Sequence, residues 1–377
     1  MISQAEPQVD VFIAVHTPAR PIERAVASVL DHTRARVRVT VVAHNVDPEL
    51  IENRLAGLSH DTRLRVVWYA DAYRSPAGPK NFALELTTAP YVTMLDSDDT
   101  LEPGALDAWL EAADLGNGAR ADAVIAPTGS PGSGTTQPSP PIRWHRALVR
   151  SSSVLHPVRD RLAYRSSPLG LIGRERFAGL RFAEGIQTGE DQPFTATMWF
   201  THGSRVVFPV NAPRYLEHSD QNDRVTAAPR AVSEEFRSMD LTFADDCVWM
   251  SDPTMRLSLF VKFVRVHYFD ALRARVDGWD PRISREMAGV GQRLLTLEPR
   301  LVDLLSRADA ALFHALLDSE TAVVRLQELL VARSRIRSFQ ALLPQKLSLV
   351  LHSQAPLRTH LAGAILLRVM NRRRLRP

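Results

Sequence analysis

Cysteine is nearly absent: the 377 residues hold one, Cys247. That excludes an internal disulfide framework and fits a reducing compartment. Long apolar runs are missing too, and nothing approaches the roughly 20 residues of a membrane-spanning helix. The first ten residues are polar and the apolar segment after them is short, so no secretory leader is expected. Glycine is absent from His16-Thr17-Pro18-Ala19-Arg20, where a phosphate-cradling loop after a first strand would need it. This argues against a nucleotidyltransferase built on such a loop. Neither zinc-finger spacing nor an aromatic RNA-binding signature accompanies the basic residues, so nucleic acid is not an expected partner.

What remains is a chain with 45% apolar and 23% charged residues and a net charge of +4, the composition of a globular protein with a sizeable core. The length allows one large domain and a smaller one. Charge is unevenly spread, with Arg368, Arg372, Arg373, Arg374 and Arg376 crowded at the C-terminal end.

Strand-like apolar runs alternate with helix-periodic segments through the first third. Strands are expected over 9–15, 37–43, 64–69, 91–95 and 123–126, and helices over 21–31, 48–58, 79–87 and 103–113. Strands separated by helices of this length imply crossovers and a mostly parallel sheet. Residues 128–141, rich in Ser, Gly, Thr and Pro, read as a flexible loop or lid. From about Val232 the character becomes almost purely helical, with long helices expected over 255–275, 300–317 and 322–343. Domains of 1–230 and 231–377 follow. Met198, Trp199, Phe200 and a stripe of Phe260, Phe263, Val266, Tyr268 and Phe269 are expected in the core, as is Cys247.

Two acidic sites could carry chemistry. Asp96-Ser97-Asp98-Asp99 directly follows a buried-strand pattern, which sets hard oxygen ligands at the end of a strand, where ligand sites of open α/β sheets lie. An ordinary acidic turn is the competing reading. Glu190-Asp191 precedes Pro193, a pattern that serves either to cap a helix or to hold a general base at its N-terminus.

Taken in order, these motifs resemble family 2 glycosyltransferases of the GT-A fold. The resemblance runs over about residues 9–226. It is carried by the opening strand and helix, by Pro79-Lys80-Asn81-Phe82-Ala83-Leu84, by Tyr91 to Gly104 with its Asp-x-Asp signature, and by Leu169 to Phe177 leading to Gly189-Glu190-Asp191. It implies an α/β, GT-A nucleotide-diphospho-sugar transferase fold followed by an all-helical C-terminal module. The activity implied is inverting, metal-dependent transfer from a nucleotide-diphosphate sugar to an acceptor hydroxyl, in cell-surface polysaccharide or glycoconjugate synthesis. By position, Asp191 would be the base, with Glu190 supporting it. Asp98, Asp96 and His218 would ligate Mg²⁺ or Mn²⁺. His16, Thr17, Arg74, Lys80, Asp96, Ser97 and Arg224 would contact the nucleotide sugar. The expected partners are that donor and a sugar, polymer or lipid-linked acceptor.

The chain departs from the family pattern at three places. Ala43-His44-Asn45-Val46-Asp47 replaces a segment whose aspartate usually reads the nucleobase, which leaves Asp71 or Arg74 as candidates for that task. His16-Thr17 stands where Tyr-Asn is common, and Lys80 stands for an arginine. These changes keep open a degenerate, sugar-binding or scaffolding alternative. The C-terminal segment 357–375 sets Leu361, Ile365, Leu366, Val369 and Met370 among arginines, a pattern matching either a packed helix or one lying on an anionic membrane. A cytoplasmic location with peripheral contact at the inner membrane face is the corresponding expectation.

Overall fold

A computed structural model describes residues 6–73, 75–133, 136–143, 145–146, 153–220 and 230–374. Strands β1 (Val9–Val15), β2 (Val37–His44), β3 (Leu64–Tyr69) and β4 (Tyr91–Met94) form in the expected order. They pair in parallel as β3-β2-β1-β4. Near-continuous Val and Ile in β1 and β2 suits strands covered on both faces, and every residue of β1 except Ala14 is buried.

Helix α1 (Ile22–Leu30) turns Ile22, Ala25, Val26 and Val29 onto one buried face, the 3.6-residue spacing its sequence shows. Helix α2 (Pro48–Arg54) starts where the Asp47 carboxylate accepts from the Glu49 amide and proline occupies the first turn. Helices α3 (Ala77–Glu85) and α4 (Ala105–Ala113) complete the crossovers.

After β5 (Thr100–Leu101) and a small hairpin of β6 (Asp114–Gly116) with β7 (Ala119–Arg120), β8 (Ala123–Ile125) begins the second half of the sheet. With β9 (Thr128–Gly129), β10 (Gly170–Gly173), β11 (Val206–Val207) and β12 (Tyr215–Leu216) the strands are complete. The main sheet runs β11-β8-β10-β4-β1-β2-β3, with β10 antiparallel to both neighbours. Gly170 makes that entry possible: its φ is +131°, and a Cβ there would fall 1.9 Å from the Val124 carbonyl oxygen.

A second sheet, β5-β12-β9, lies beyond the end of β4. For the described residues it corrects the expectation of a flexible loop or lid over 128–141. Thr128 and Thr136 are buried, the Gln137 amide donates to the Thr128 carbonyl, and Gln137 Nε2 donates to Glu217. Backbone pairing, rather than apolar content, ties this segment down.

Beyond α5 (Asp191–Phe200) the chain is helical from Val232 onward. The three long helices expected there are each interrupted. The first divides into α6 (Pro253–Phe263), a π-helical turn Val264–Tyr268 and α7 (Phe269–Arg275). After α8 (Pro281–Leu297), Ser306 caps α9 (Arg307–Leu317) by accepting from the Asp309 amide, which separates it from Leu301–Leu304. Helix α10 (Val323–Ser334) stops before Ser338, which caps the short turn Phe339–Leu342. In the second and third, local serine caps overrode continuous Leu/Arg periodicity. The last helix, α11, spans Pro356–Arg374.

Met198, Trp199, Phe200, Phe260, Phe263, Tyr268 and Phe269 are buried, and Cys247 is half-buried. One apolar cluster joins Phe12, Val42 and Met94 of the sheet to Phe260, Leu312 and Met370 of the helical region. The opposite sheet face packs on α1 and α4.

Candidate active site

Chain direction brings the carboxyl ends of β1, β2 and β4 to one edge. A cavity of about 820 Å³ opens there, with His16 and Arg20 behind β1, His44 and Asn45 behind β2, and Asp96 to Asp99 behind β4. Lys80 of α3 enters from the side.

The acidic loop is clamped from the second sheet. The Asp96 amide donates to Tyr215 Oη at 3.0 Å, and the His218 amide donates to Asp99 Oδ1 at 2.8 Å. Asp98 is buried and accepts from Arg20 Nη1 at 2.6 Å, while Arg24 Nη2 donates to its backbone carbonyl. The two arginines after β1 thus cover this strand-end carboxylate.

Burial raises the pKa of Asp96, against the pull of Lys80 and with the like charge of Asp98. Burial, together with Asp96, pushes Asp99 up to about 7. These shifts are the response of acids crowded into low dielectric.

The second acidic site faces the same lysine. Lys80 Nζ donates to Glu190 Oε1 at 2.9 Å and to Asp191 Oδ1 at 3.3 Å. Neither Glu190 nor Asp191 makes a side-chain cap on α5, so the capping reading is not how this helix start uses them. Burial alone would lower the lysine pKa, but Asp191, Glu190 and Asp96 hold it above its usual range. Burial raises Asp191 to about 7 against Lys80, with Glu190 and Asp96 adding to the rise. Lys80 therefore sits between both acidic sites, with hydrogen bonds to one and charge coupling to Asp96.

At the far end of the cavity, His44 Nε2 lies 2.9 Å from Asp71 Oδ1. The Asp71 amide donates to Asn45 Oδ1 at 3.0 Å, and the Tyr73 amide donates to Asp71 Oδ1 at 3.0 Å. Burial would raise the Asp71 carboxyl, but the His44 and Tyr73 bonds draw it below its usual range. Asn81, on the other side of α3, bonds Phe182 and Glu184 and fixes the segment leading to Glu190.

Of the residues singled out from sequence, His16, Lys80, Asp96, Ser97 and Asp98 line this cavity. Thr17 does not; its hydroxyl accepts from the Ala19 amide in a turn. Asp191 joins through Lys80. His218 Nε2 is 2.9 Å from Thr100 Oγ1, and burial with Arg24 lowers its pKa. Arg74 and Arg224 lie outside the described residues. Arg20, Arg24 and Tyr215 escaped sequence reading. The basic pair just after the first strand was the available signal for the arginines.

Among the described residues no three His, Cys, Asp or Glu side chains converge as a metal cage. Asp96 and Asp98 on one cavity wall fit the other mode, in which one or two carboxylates hold a divalent cation and substrate phosphates complete its shell.

Residues 10–175 match the model for glycosyl transferase family 2. That stretch is a family 2 glycosyltransferase domain. No curated protein matches the sequence. Among solved structures, S. aureus TarS 1-349 in complex with UDP-GlcNAc superposes with a TM-score of 0.67 at 14% identity, covering 87% of this chain and 92% of that one. The same fragment in complex with UDP gives 0.60 at 15% identity, covering 87% and 91%. The longer S. aureus TarS gives 0.61 at 13% identity, covering 85% of this chain and 54% of that one. The likeness extends past the family domain into the helical region and establishes the fold as GT-A.

Proposed function

We propose that the protein transfers a sugar, with inversion, from a nucleotide-diphosphate donor to an acceptor hydroxyl. The observation that carries this reading is the position of Lys80, hydrogen-bonded to Glu190 and Asp191 and charge-coupled to Asp96 across one cavity. Chemistry at a sugar anomeric carbon needs a base for the nucleophile and a counter-charge for the leaving group, and the two acidic sites supply one each.

The acceptor hydroxyl gives its proton to the Asp191 carboxylate and its oxygen bonds to the anomeric carbon. The bond from that carbon to the diphosphate oxygen breaks on the opposite face, leaving its electron pair on the nucleoside diphosphate. Lys80, itself held by Glu190, bonds Asp191 and favours its ionised form against the like charge of Glu190. A divalent cation at Asp98 and Asp96 would neutralise charge on the departing diphosphate. His16 and Ser97 are assigned to the donor, as are Arg74 and Arg224. His218 is a backbone-anchored neighbour of the metal position. TarS, in complex with UDP-GlcNAc, makes a uridine nucleotide the first donor to try. A role in polysaccharide or glycoconjugate synthesis, on a sugar, polymer or lipid-linked acceptor, is the matching context, with domains of 1–230 for transfer and 231–377 as its helical module. A cytoplasmic location with peripheral contact through the basic C-terminal end belongs to the same reading.

The test is release of nucleoside diphosphate from a panel of nucleotide sugars with Mn²⁺, without and with candidate acceptors, beside thermal stabilisation by each nucleotide. Release with one nucleotide family supports the assignment. Stabilisation with no release from any donor, under any acceptor, points to the degenerate sugar-binding alternative.

A further inference from the structure

From Leu329 to Pro377 the chain contains ten Lys and Arg residues and not one Asp or Glu. With a whole-chain charge of +4, residues 1–328 carry −6. The positive end is therefore a local property against an acidic remainder.

Large apolar side chains are exposed in the same stretch. Phe339 is 82% exposed and Leu351 74%, and Ile336, Leu347, Leu357 and Leu361 are exposed with them. These residues belong to connected elements. The turn Phe339–Leu342 packs against α11. Successive turns carry the chain from Leu347 to Leu351, and Arg358 Nη1 of α11 donates to the Leu351 carbonyl at 2.6 Å. Leu357 and Leu361 stand one helical turn apart beside that arginine.

The inner face of α11 is already used. Ala362, Leu366 and Met370 are buried against the protein and Val369 packs beside them. The apolar stripe that suited either a packed helix or one lying on a membrane is thus divided. Leu366, Val369 and Met370 anchor the helix, and Leu361 faces outward. No helix among the described residues is long and apolar enough to cross a membrane.

We propose that the surface formed by residues 336–361 is a docking site for an anionic lipid bilayer. Exposed aromatic and aliphatic side chains gain little from a solvated polyanion, but they gain on entering the headgroup and acyl boundary. Lys and Arg gain at a negatively charged leaflet. The two together match that interface: Lys346 pairs with Asp303 and Arg333 with Asp309, which leaves Arg335, Arg337 and Arg358 to meet the lipid charge beside the exposed apolar groups. The inference deepens the peripheral-contact reading above and is independent of the transfer chemistry.

Flotation of the full chain with vesicles of phosphatidylcholine alone, and with vesicles containing phosphatidylglycerol, tests it. Binding is expected to the anionic vesicles only and to weaken as salt rises. The L347S/L351S variant removes exposed groups that support no core, so its melting temperature should match the parent while vesicle binding falls by roughly ten-fold or more. A charge variant, R335E/R337E, should lose binding similarly. Undiminished binding by L347S/L351S would overturn the proposal. So would absence of binding to anionic vesicles, or tighter binding to a soluble polyphosphate, which would give the surface to a polyanion. The assay contains neither donor nor acceptor, so its failure leaves the transferase reading standing. Failure of nucleotide-sugar turnover leaves the docking result standing in turn.

Discussion

Arg20 Nη1 donates to Asp98 Oδ2 at 2.6 Å, and the two side chains expose only 7% and 11% of their surface. The carboxylate proposed to face the donor diphosphate is therefore already satisfied by an arginine 78 residues away. A donor and cation that use Asp98 would have to share or displace that contact.

The same pair predicts the behaviour of Asp98→Asn. Divalent-dependent nucleotide binding should be lost. A neutral amide also weakens the buried contact with Arg20, so stability should fall by about 1–3 kcal/mol, below the roughly 3–5 kcal/mol of deleting one partner outright. Urea denaturation beside nucleotide titration with Mn²⁺ checks both. Parental stability together with parental binding would remove Asp98 from the site.

Much of this was legible in the sequence, and the parts that were not share a cause. Strands β1 to β4 announce themselves because a strand buried on both faces must be apolar throughout. Asp96 and Asp98 stand out because they follow such a run directly, and Asp191 because it precedes a proline at a helix start. Arg20 and Tyr215 do not stand out, since each acts on a residue far along the chain: 78 positions for Arg20 and 119 for Tyr215. The breaks at Ser306 and Ser338 were hidden because a serine between Leu- and Arg-rich segments reads equally as helix or cap until its hydroxyl finds an amide.

Asp191→Asn keeps the shape at the start of α5 and leaves Lys80 bonded to Glu190. Donor affinity should persist within a few-fold while transfer falls by about 10²–10⁴, the usual contribution of a positioned base. Single-turnover transfer and donor titration separate the two quantities. Loss of donor binding, or transfer at the parental rate, contradicts the base assignment.

Transfer should also depend on pH in one direction. Asp191 acts when ionised, and its pKa is raised to about 7, so kcat/KM should fall about ten-fold per pH unit on the acid side of that value. Glu190 is one cause of the rise. Glu190→Gln removes its like charge and leaves Asp191 as the one charged hydrogen-bond partner of Lys80. Both changes lower the Asp191 pKa, and the acid limb should move to lower pH. A pH profile that does not move, or moves upward, would show that another group controls the limb.

Gly78 predicts how tightly the far end of the cavity is set. A Cβ at this first-turn position of α3 would lie 2.2 Å from Asp71 Oδ2 and 2.9 Å from the Tyr69 hydroxyl. A free aspartate would swing aside at little cost, but His44 and the Tyr73 amide hold this one by its other oxygen, and Asn45 accepts from its backbone amide. Gly78→Ala must therefore push the Asp71 carboxylate off His44, with a stability cost of about 1–3 kcal/mol typical of overpacking. If this end of the cavity receives the nucleobase, donor affinity should drop at least ten-fold while affinity for free diphosphate with Mn²⁺ stays level. Asp71→Asn, which keeps the shape without the clash, should reproduce the affinity loss with a smaller stability change. Isothermal titration of both variants with the nucleoside diphosphate and with diphosphate alone reads the difference. Equal losses for both ligands would mean that the substitution disturbs the acidic loop and that His44 and Asp71 do not touch the donor base.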